Sequence, residues 1–367
     1  MRVLVTGSGG FVGKNLVFRL AEQKIEVLHF TRETPPDALP ALVAQADAII
    51  HLAGENRPSD VEAFELVNGA LTQSLCDAVQ ASGRHIPLIV ASSTQAAVDN
   101  PYGRSKLSGE RAVAALVAKT GSPAALYRLP GVFGKWSKPN YNSVVATFCH
   151  NVARDLPIQV ADASKEISLV YVDDVIDEFL RSLSAMQPGL ANGEVNPVYT
   201  ITLGELAAKI EAFRDSRKTL VTERVGCGLT RGLYSTYVSF LPPEHFSYEI
   251  PRYGDHRGVF VEMLKTADSG QISFFTAHPG VTRGEHYHHT KTEKFLVIKG
   301  SARFGFRNLV SGERTEILVD GAELRIVDTI PGWVHDITNV GDEEMIVMLW
   351  ANEIFDRERP DTIAGKV

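Results

Sequence analysis

The sequence predicts a chain in two parts, a parallel α/β sheet followed by a small antiparallel β barrel or sandwich. Three observations predict it. Residues 1 to about 240 alternate short apolar runs with helical stretches. Beyond Pro242-Pro243 come short strand-like runs separated by turn residues, without long helical patterns. Charge and histidine shift at the same place: residues 1–243 hold 23 basic and 24 acidic side chains, residues 244–367 hold 14 and 20, and seven of the eleven histidines lie in the second part. A length of 367 residues suits two domains better than one. Consecutive prolines interrupt helix and sheet alike, so the domains are expected at 1–243 and 244–367.

The elements follow in order. Met1–Thr6 is a continuous apolar run, which reads as a strand buried on both faces. In Gly13–Gln23, Leu16, Val17 and Leu20 recur at helical spacing. Ile25–Phe30, Ala48–Leu52 and Pro87–Ala91 read as further strands, with a helical stretch at Val61–Ser82 between the last two. This rhythm implies a mostly parallel sheet with helices on both faces. In the second part the strand-like runs are Val259–Leu264, Gln271–Ala277, Lys294–Ile298, Ala302–Phe306, Glu316–Val319, Glu323–Val327 and Glu344–Leu349.

Composition excludes several classes. A hydrophobic fraction of 44% gives ample core material and argues against disorder. A net charge of −7 without a basic cluster argues against nucleic-acid binding. No apolar run approaches the roughly 20 residues needed to span a bilayer, and Val3-Leu4-Val5 is too short for a signal-peptide core. Cys76, Cys149 and Cys227 form no CxxC or disulfide framework. The expectation is a cytoplasmic protein with neither nucleic-acid nor membrane partner.

The first strand runs into Gly7-Ser8-Gly9-Gly10-Phe11-Val12-Gly13, and a helix follows. Glycine permits the tight turn and close approach of a pyrophosphate, and the helix N-terminus offers unpaired N–H groups to the anion. Gly7, Gly10, Phe11, Val12 and Gly13 are therefore candidate dinucleotide-binding residues. The second strand ends Phe30-Thr31-Arg32, where an NAD-binding fold usually carries an acid for the ribose 2′-hydroxyl. Arg32 instead suits a 2′-phosphate, so NADPH is the expected cofactor.

The fourth strand ends Ala91-Ser92-Ser93-Thr94, and Asn100-Pro101-Tyr102-Gly103-Arg104-Ser105-Lys106 follows. Asn100 suits an N-cap and Pro101 the first helical position, which places Tyr102 and Lys106 on one helix face. A phenol with a pKa of about 10 needs a nearby ammonium to favour its anion, and Lys106 is positioned to supply it. Lys106 could also hold the nicotinamide ribose and Thr94 the substrate oxygen, with Tyr102 transferring the proton. With His51-Leu52-Ala53-Gly54, Asn68, Arg128-Leu129-Pro130-Gly131-Val132-Phe133-Gly134 and Leu169–Asp174, residues 1 to about 240 resemble an extended short-chain dehydrogenase/reductase acting on nucleotide sugars, a Rossmann-type fold. The resemblance implies that the Arg128 segment helps hold the sugar nucleotide. It assigns no catalytic role to His51 or Asn68. Gln95-Ala96 stand where dehydratases of that family carry Asp-Glu, which argues against dehydration.

In the second part, Gly280, His286-Tyr287-His288, Glu293 and Gly300 are followed by Pro331-Gly332-Trp333-Val334-His335 and Asn339. Residues two apart on a strand share a face, so His286 and His288 project together, and Glu293 and His335 can close a site. Three His and one Glu suit zinc, iron, manganese or nickel. His289 falls off that face. The spacing resembles both cupin motifs, and Asp255–Glu262 resembles a segment of the 3,5-epimerases of deoxysugar pathways. A 4-ketone acidifies the C3 proton, for which His256, His288, Tyr287 and Lys294 are candidate bases.

The whole chain resembles the bifunctional enzymes of bacterial capsule and O-antigen synthesis that make UDP-N-acetyl-L-fucosamine precursors. The resemblance implies C3 epimerisation of UDP-2-acetamido-2,6-dideoxy-L-arabino-4-hexulose at a zinc-binding cupin. Reduction of C4 with NADPH at the Rossmann-type domain would follow, in a homodimer. Two rival readings stand beside it: a 4-epimerase with bound NAD, and a plain reductase whose cupin only senses ligands or directs assembly.

Overall fold

The computed structural model describes residues 1–58 and 60–367, which fall into two compact units. The first comprises Met1–Ile210 and Cys227–Pro242. Its opening elements are β1 (Arg2–Thr6), α1 (Phe11–Glu22), β2 (Glu26–Phe30), α2 (Leu39–Gln45), β3 (Ala48–His51), α3 (Glu62–Phe64), α4 (Leu71–Ala81), β4 (Leu88–Ser93), α5 (Pro101–Thr120) and β5 (Ala124–Leu129). A π-helical turn, Glu65–Ala70, joins α3 to α4. Then follow β6 (Gly131–Phe133), α6 (Val144–Val152), β7 (Glu166–Tyr171), α7 (Val172–Ala185), β8 (Leu190–Gly193) and β9 (Tyr199–Thr202).

The main sheet has the order β2-β1-β3-β4-β5-β8, and every pairing in it is parallel. Val3, Leu4, Val5, Ile49 and Ile50 are fully buried, as expected of strands covered on both faces by helices. Leu4 and Ile49 pack on one side with Leu75 and Val113, while Val5 and Ile50 pack on the other with Leu16 and Phe179. The arrangement is a Rossmann-type sheet. Glycine-rich turn, β3 end and β4 end all emerge at the carboxyl edge, where such sheets bind ligands.

The second unit comprises Glu211–Gly226 and Pro243–Val367. Its first segment carries the end of α8 (Leu203–Thr219) and β10 (Val221–Thr222), and α9 (Gly228–Ser239) follows in the first unit. Composition alone does not reveal that excursion, because residues 211–226 join the second unit through a parallel pairing of β10 with a distant strand. The later strands are β11 (Arg252–Asp255), β12 (Gly258–Thr266), β13 (Gly270–Ala277), β14 (Thr282–Tyr287), β15 (Glu293–Lys299), β16 (Ser301–Asn308), β17 (Arg314–Asp320), β18 (Ile326–Asp328), β19 (Trp333–Asn339), β20 (Met345–Ala351) and β21 (Ile363–Ala364).

One sheet has the order β10-β12-β13-β20-β15-β18, with β11 on β12, and the other β17-β16-β19-β14-β21. Phe275, Phe295 and Val347 from the first share a core with Phe304, Phe306 and Ile337 from the second. This is the all-β, cupin-like part of the chain. The expected strand Glu323–Val327 is shorter and later, at β18, because Glu323 closes a turn on the Asp320 carbonyl. Strands β14 and β19 lack clean apolar alternation, since polar and histidine side chains line them.

Candidate functional site

In the first unit, Gly7 has φ +69°, and a Cβ there would sit 2.8 Å from the Ala53 nitrogen. A Cβ on Gly13 would lie 2.2 Å from the Gly7 carbonyl oxygen. These two positions require glycine. Gly10 caps α1 without any side-chain hydrogen bond, and Gly9 and Gly10 are exposed. The first N–H groups of α1, on Phe11, Val12 and Gly13, are thus open to an anion. The residues present fit a dinucleotide's pyrophosphate.

Arg32 lies just past β2, whose last carbonyl, on Phe30, accepts from the Gly7 N–H at 2.7 Å. Its side chain is 81% exposed, and its Nη2 bonds Glu55 Oε2 at 2.7 Å. The other Glu55 oxygen accepts from the Tyr141 hydroxyl at 2.7 Å and from the backbone N–H of Asn56 and Arg57. An acid therefore stands near the β2 tip, supplied from beyond β3.

Asn100 caps α5 by accepting from the Gly103 N–H at 2.8 Å, with Pro101 in the first turn. Tyr102 and Lys106 lie one helical turn apart on α5. Lys106 Nζ donates to the Ala91 carbonyl at 3.1 Å, and burial pulls its pKa down to about 8 against the opposing effect of Glu110. Burial pushes the Tyr102 phenol up, with a hydrogen bond from Ser93 opposing. The depression of this phenol expected from Lys106 is not what the structure gives: desolvation leads, and the ammonium bonds the Ala91 carbonyl. Ser93, absent from the sequence-derived set, is the hydroxyl that opposes this rise. Thr94 opens the turn after β4 with its side chain exposed.

The surrounding polar groups hold this arrangement. Asn68 Nδ2 donates to the Glu55 carbonyl and to Ser105 Oγ, both at 3.0 Å, and its Oδ1 accepts from the Glu55 N–H at 2.8 Å. Buried His51 bonds Thr6 Oγ1 at 2.7 Å and Thr72 Oγ1 at 2.9 Å. Burial first, and the Lys106 charge second, pull its pKa down to about 3. Both side chains tie neighbouring segments together. In the segment implied to help hold the sugar nucleotide, Arg128 grips buried Glu110 through Nη2 at 2.6 Å and Nε at 2.9 Å.

In the second unit, His286, His288, Glu293 and His335 converge, with one candidate ligand atom from each lying within 4.8 Å of the others. His286 and His288 do share a face, with ring centroids 4.9 Å apart, although β14 bulges at Glu285 and ends at Tyr287. Glu293 Oε2 lies 3.2 Å from His288 Nε2 and 3.5 Å from His335 Nε2. Burial would raise the Glu293 carboxyl, but His288, His335 and Lys291 outweigh it and hold the group far below the usual range. Among the described residues, His286 Nε2 and His335 Nε2 are buried without hydrogen-bond partners. Buried polar nitrogens of this kind are costly unless something binds them. A divalent cation satisfies them, so the donor set fits a metal.

The candidate bases lie differently. His256 is exposed, and Lys294 points outward to Asp328 at 2.6 Å. His289 packs its ring on Tyr287, outside the cluster. The lysine at the cluster is Lys291, which is buried with Nζ 3.0 Å from Glu293 Oε1. No sequence signal marks it, because only the turn before β15 carries it inward.

Together, the glycine-rich carboxyl edge and the Tyr102–Lys106 helix define the class, a Rossmann-type protein of the dehydrogenase/reductase kind with an appended β unit. Residues 3–196 match the model of the NAD dependent epimerase/dehydratase family, and residues 253–363 match the polysaccharide biosynthesis C-terminal domain. The chain belongs to the first of these families and, over its full length, to that of the UDP-2-acetamido-2,6-beta-L-arabino-hexul-4-ose reductase of Pseudomonas aeruginosa. It is 58% identical to that reductase over 100% of this chain and 99% of the other. The crystal structure of the capsular polysaccharide assembling protein CapF from Staphylococcus aureus superimposes with a TM-score of 0.91 at 40% identity, covering 100% of both chains. The UDP-glucose 4-epimerase of Thermus thermophilus, at 20% identity and a TM-score of 0.55 over 65% of this chain and 99% of the other, shares the fold of the first unit.

Proposed function

We propose that the chain reduces the C4 ketone of a UDP-linked 4-keto-6-deoxy-N-acetylhexosamine with NADPH, after its second unit has epimerised C3. In this reading the substrate is UDP-2-acetamido-2,6-dideoxy-L-arabino-4-hexulose and the product UDP-2-acetamido-2,6-dideoxy-L-talose, a precursor for capsule or O-antigen. The observation that carries it is 58% identity over the full length to a protein named for reduction of that hexulose. The enzyme works as a cytoplasmic homodimer.

NADPH, when bound, supplies a hydride to C4. Gly7, Gly10 and Gly13 let the turn pass close to its pyrophosphate, the backbone N–H groups of Phe11, Val12 and Gly13 hold that group, and Arg32 its 2′-phosphate. Lys106 holds the nicotinamide ribose. Thr94 donates a hydrogen bond to the ketone oxygen. Tyr102, kept protonated by burial at neutral pH, gives its proton to that oxygen. A divalent metal at His286, His288, Glu293 and His335, zinc in this proposal, supplies positive charge that favours an electron-rich oxygen next to C3.

NMR of the UDP-4-hexulose in D2O, with protein and no NADPH, tests both halves. Deuterium should enter at C3 and be lost in His288→Ala, and added NADPH should then consume the ketone. NADPH oxidation without exchange leaves a plain reductase. Failure of both excludes this sugar.

A further inference from the structure

The C-terminal residues fold back onto the metal-type cluster. β21 pairs with β14 in the register His286↔Ala364 and Tyr287↔Ile363. The Gly365 N–H donates to the Glu285 carbonyl at 2.9 Å, and Arg307 Nε donates to the Lys366 carbonyl at 2.8 Å. At the head of this strap, the Asp361 carboxylate accepts from three successive backbone N–H groups, of His289 at 2.9 Å, Thr290 at 2.7 Å and Lys291 at 2.8 Å. It also accepts from the Thr290 hydroxyl at 3.1 Å. The backbone carbonyl of the same Asp361 bonds Nδ1 of His288, which is almost fully buried.

A carbonyl only accepts, so the proton of His288 sits on Nδ1. That leaves the Nε2 lone pair aimed at the cluster, the tautomer a ligand nitrogen requires. The carbonyl belongs to a segment 73 residues away in sequence. The β21 pairing holds the strap from residue 363 onward, and the four hydrogen bonds to the carboxylate fix Asp361 itself. We propose that Asp361 is a positioning residue. By clamping the C-terminal strap to residues 289–291, it fixes the tautomer and orientation of His288 and so sets the affinity of the site for metal. This inference rests on the metal-site reading above.

The test uses the full chain as wild type, Asp361→Ala and Asp361→Asn. Zn2+ affinity is read by competition with a chromophoric chelator, and geometry from the visible absorption of the Co2+-loaded protein. Outer-shell partners of metal ligands typically contribute 10- to 100-fold in affinity. Asp361→Ala is expected to weaken Zn2+ by roughly that factor and to alter the Co2+ spectrum. Asp361→Asn keeps the size but can accept fewer of the N–H bonds, and it should fall between the two. If Asp361→Ala does not fold, Asp361→Asn decides. Unchanged affinity and spectrum in a folded variant would overturn the role of Asp361. A wild-type chain that binds neither metal would overturn the metal site itself.

Discussion

Arg32 and Glu55 form an ion pair with Nη2 and Oε2 2.7 Å apart, at the edge of the sheet where the β2 tip meets the glycine-rich turn. An arginine that reads from sequence as free to take a 2′-phosphate is thus shared with a carboxylate. The Tyr141 hydroxyl and two backbone N–H groups hold that carboxylate in place.

The pair predicts a specificity shift. Glu55→Gln removes the competing charge, and Arg32→Ala removes the cation. Exposed ion pairs are worth about 0.2–1 kcal/mol, so the NADPH-to-NADH ratio of kcat/KM should rise up to about fivefold in the first variant. It should fall in the second. Steady-state kinetics with both cofactors measures it. Equal ratios in all three proteins would remove Arg32 from cofactor choice.

Lys106 predicts the alkaline limb of reduction. In the proposed reaction its ammonium holds the nicotinamide ribose, and its pKa is pulled down to about 8. In the kcat/KM profile, activity should therefore fall as pH rises through about 8, and Lys106→Arg should move that limb upward. The stability effect has the opposite sense. Between about 8 and the ordinary 10.5 the unfolded chain binds more protons than the folded one, so this group adds stability as pH rises. Tyr102→Phe should lower kcat by roughly 10²- to 10⁴-fold, with cofactor affinity retained.

His51 predicts acid sensitivity in the first unit. Its folded pKa of about 3 lies below the ordinary 6.5. Between these values the unfolded chain binds the extra proton, so stability falls as pH drops below 6.5. Thermal melts from about pH 7 to about pH 4 should show that slope, and His51→Gln should flatten it. The same substitution should cost roughly 1–3 kcal/mol at neutral pH, because it disturbs buried partners at Thr6 and Thr72.

The four-residue cluster predicts metal-linked stability. Chelation should lower the melting temperature of the second unit, since a ligand at about 100 times its Kd contributes about 2.7 kcal/mol. Alanine at His286, His288, Glu293 or His335 should each reduce bound metal, measured by elemental analysis. His286 is the informative case, because its Nε2 is buried and unpartnered. Full metal content in His286→Ala would leave three protein ligands.

The sequence by itself determined the two-part architecture, the glycine-rich turn, the Tyr102–Lys106 helix and the His-x-His pair. Each depends on neighbours within a few residues, where periodicity, capping and φ preference act. Only the tertiary structure decided which groups meet across the fold. Glu55 reaches Tyr141 and Arg32, and Arg128 turns to Glu110. Lys291 and Asp361 enter the surroundings of Glu293 and His288 without any motif to announce them. Such hydrogen bonds join segments whose local patterns carry no trace of one another. The pKa of Tyr102 belongs with them, because desolvation depends on everything packed around the phenol and not on the lysine four residues along.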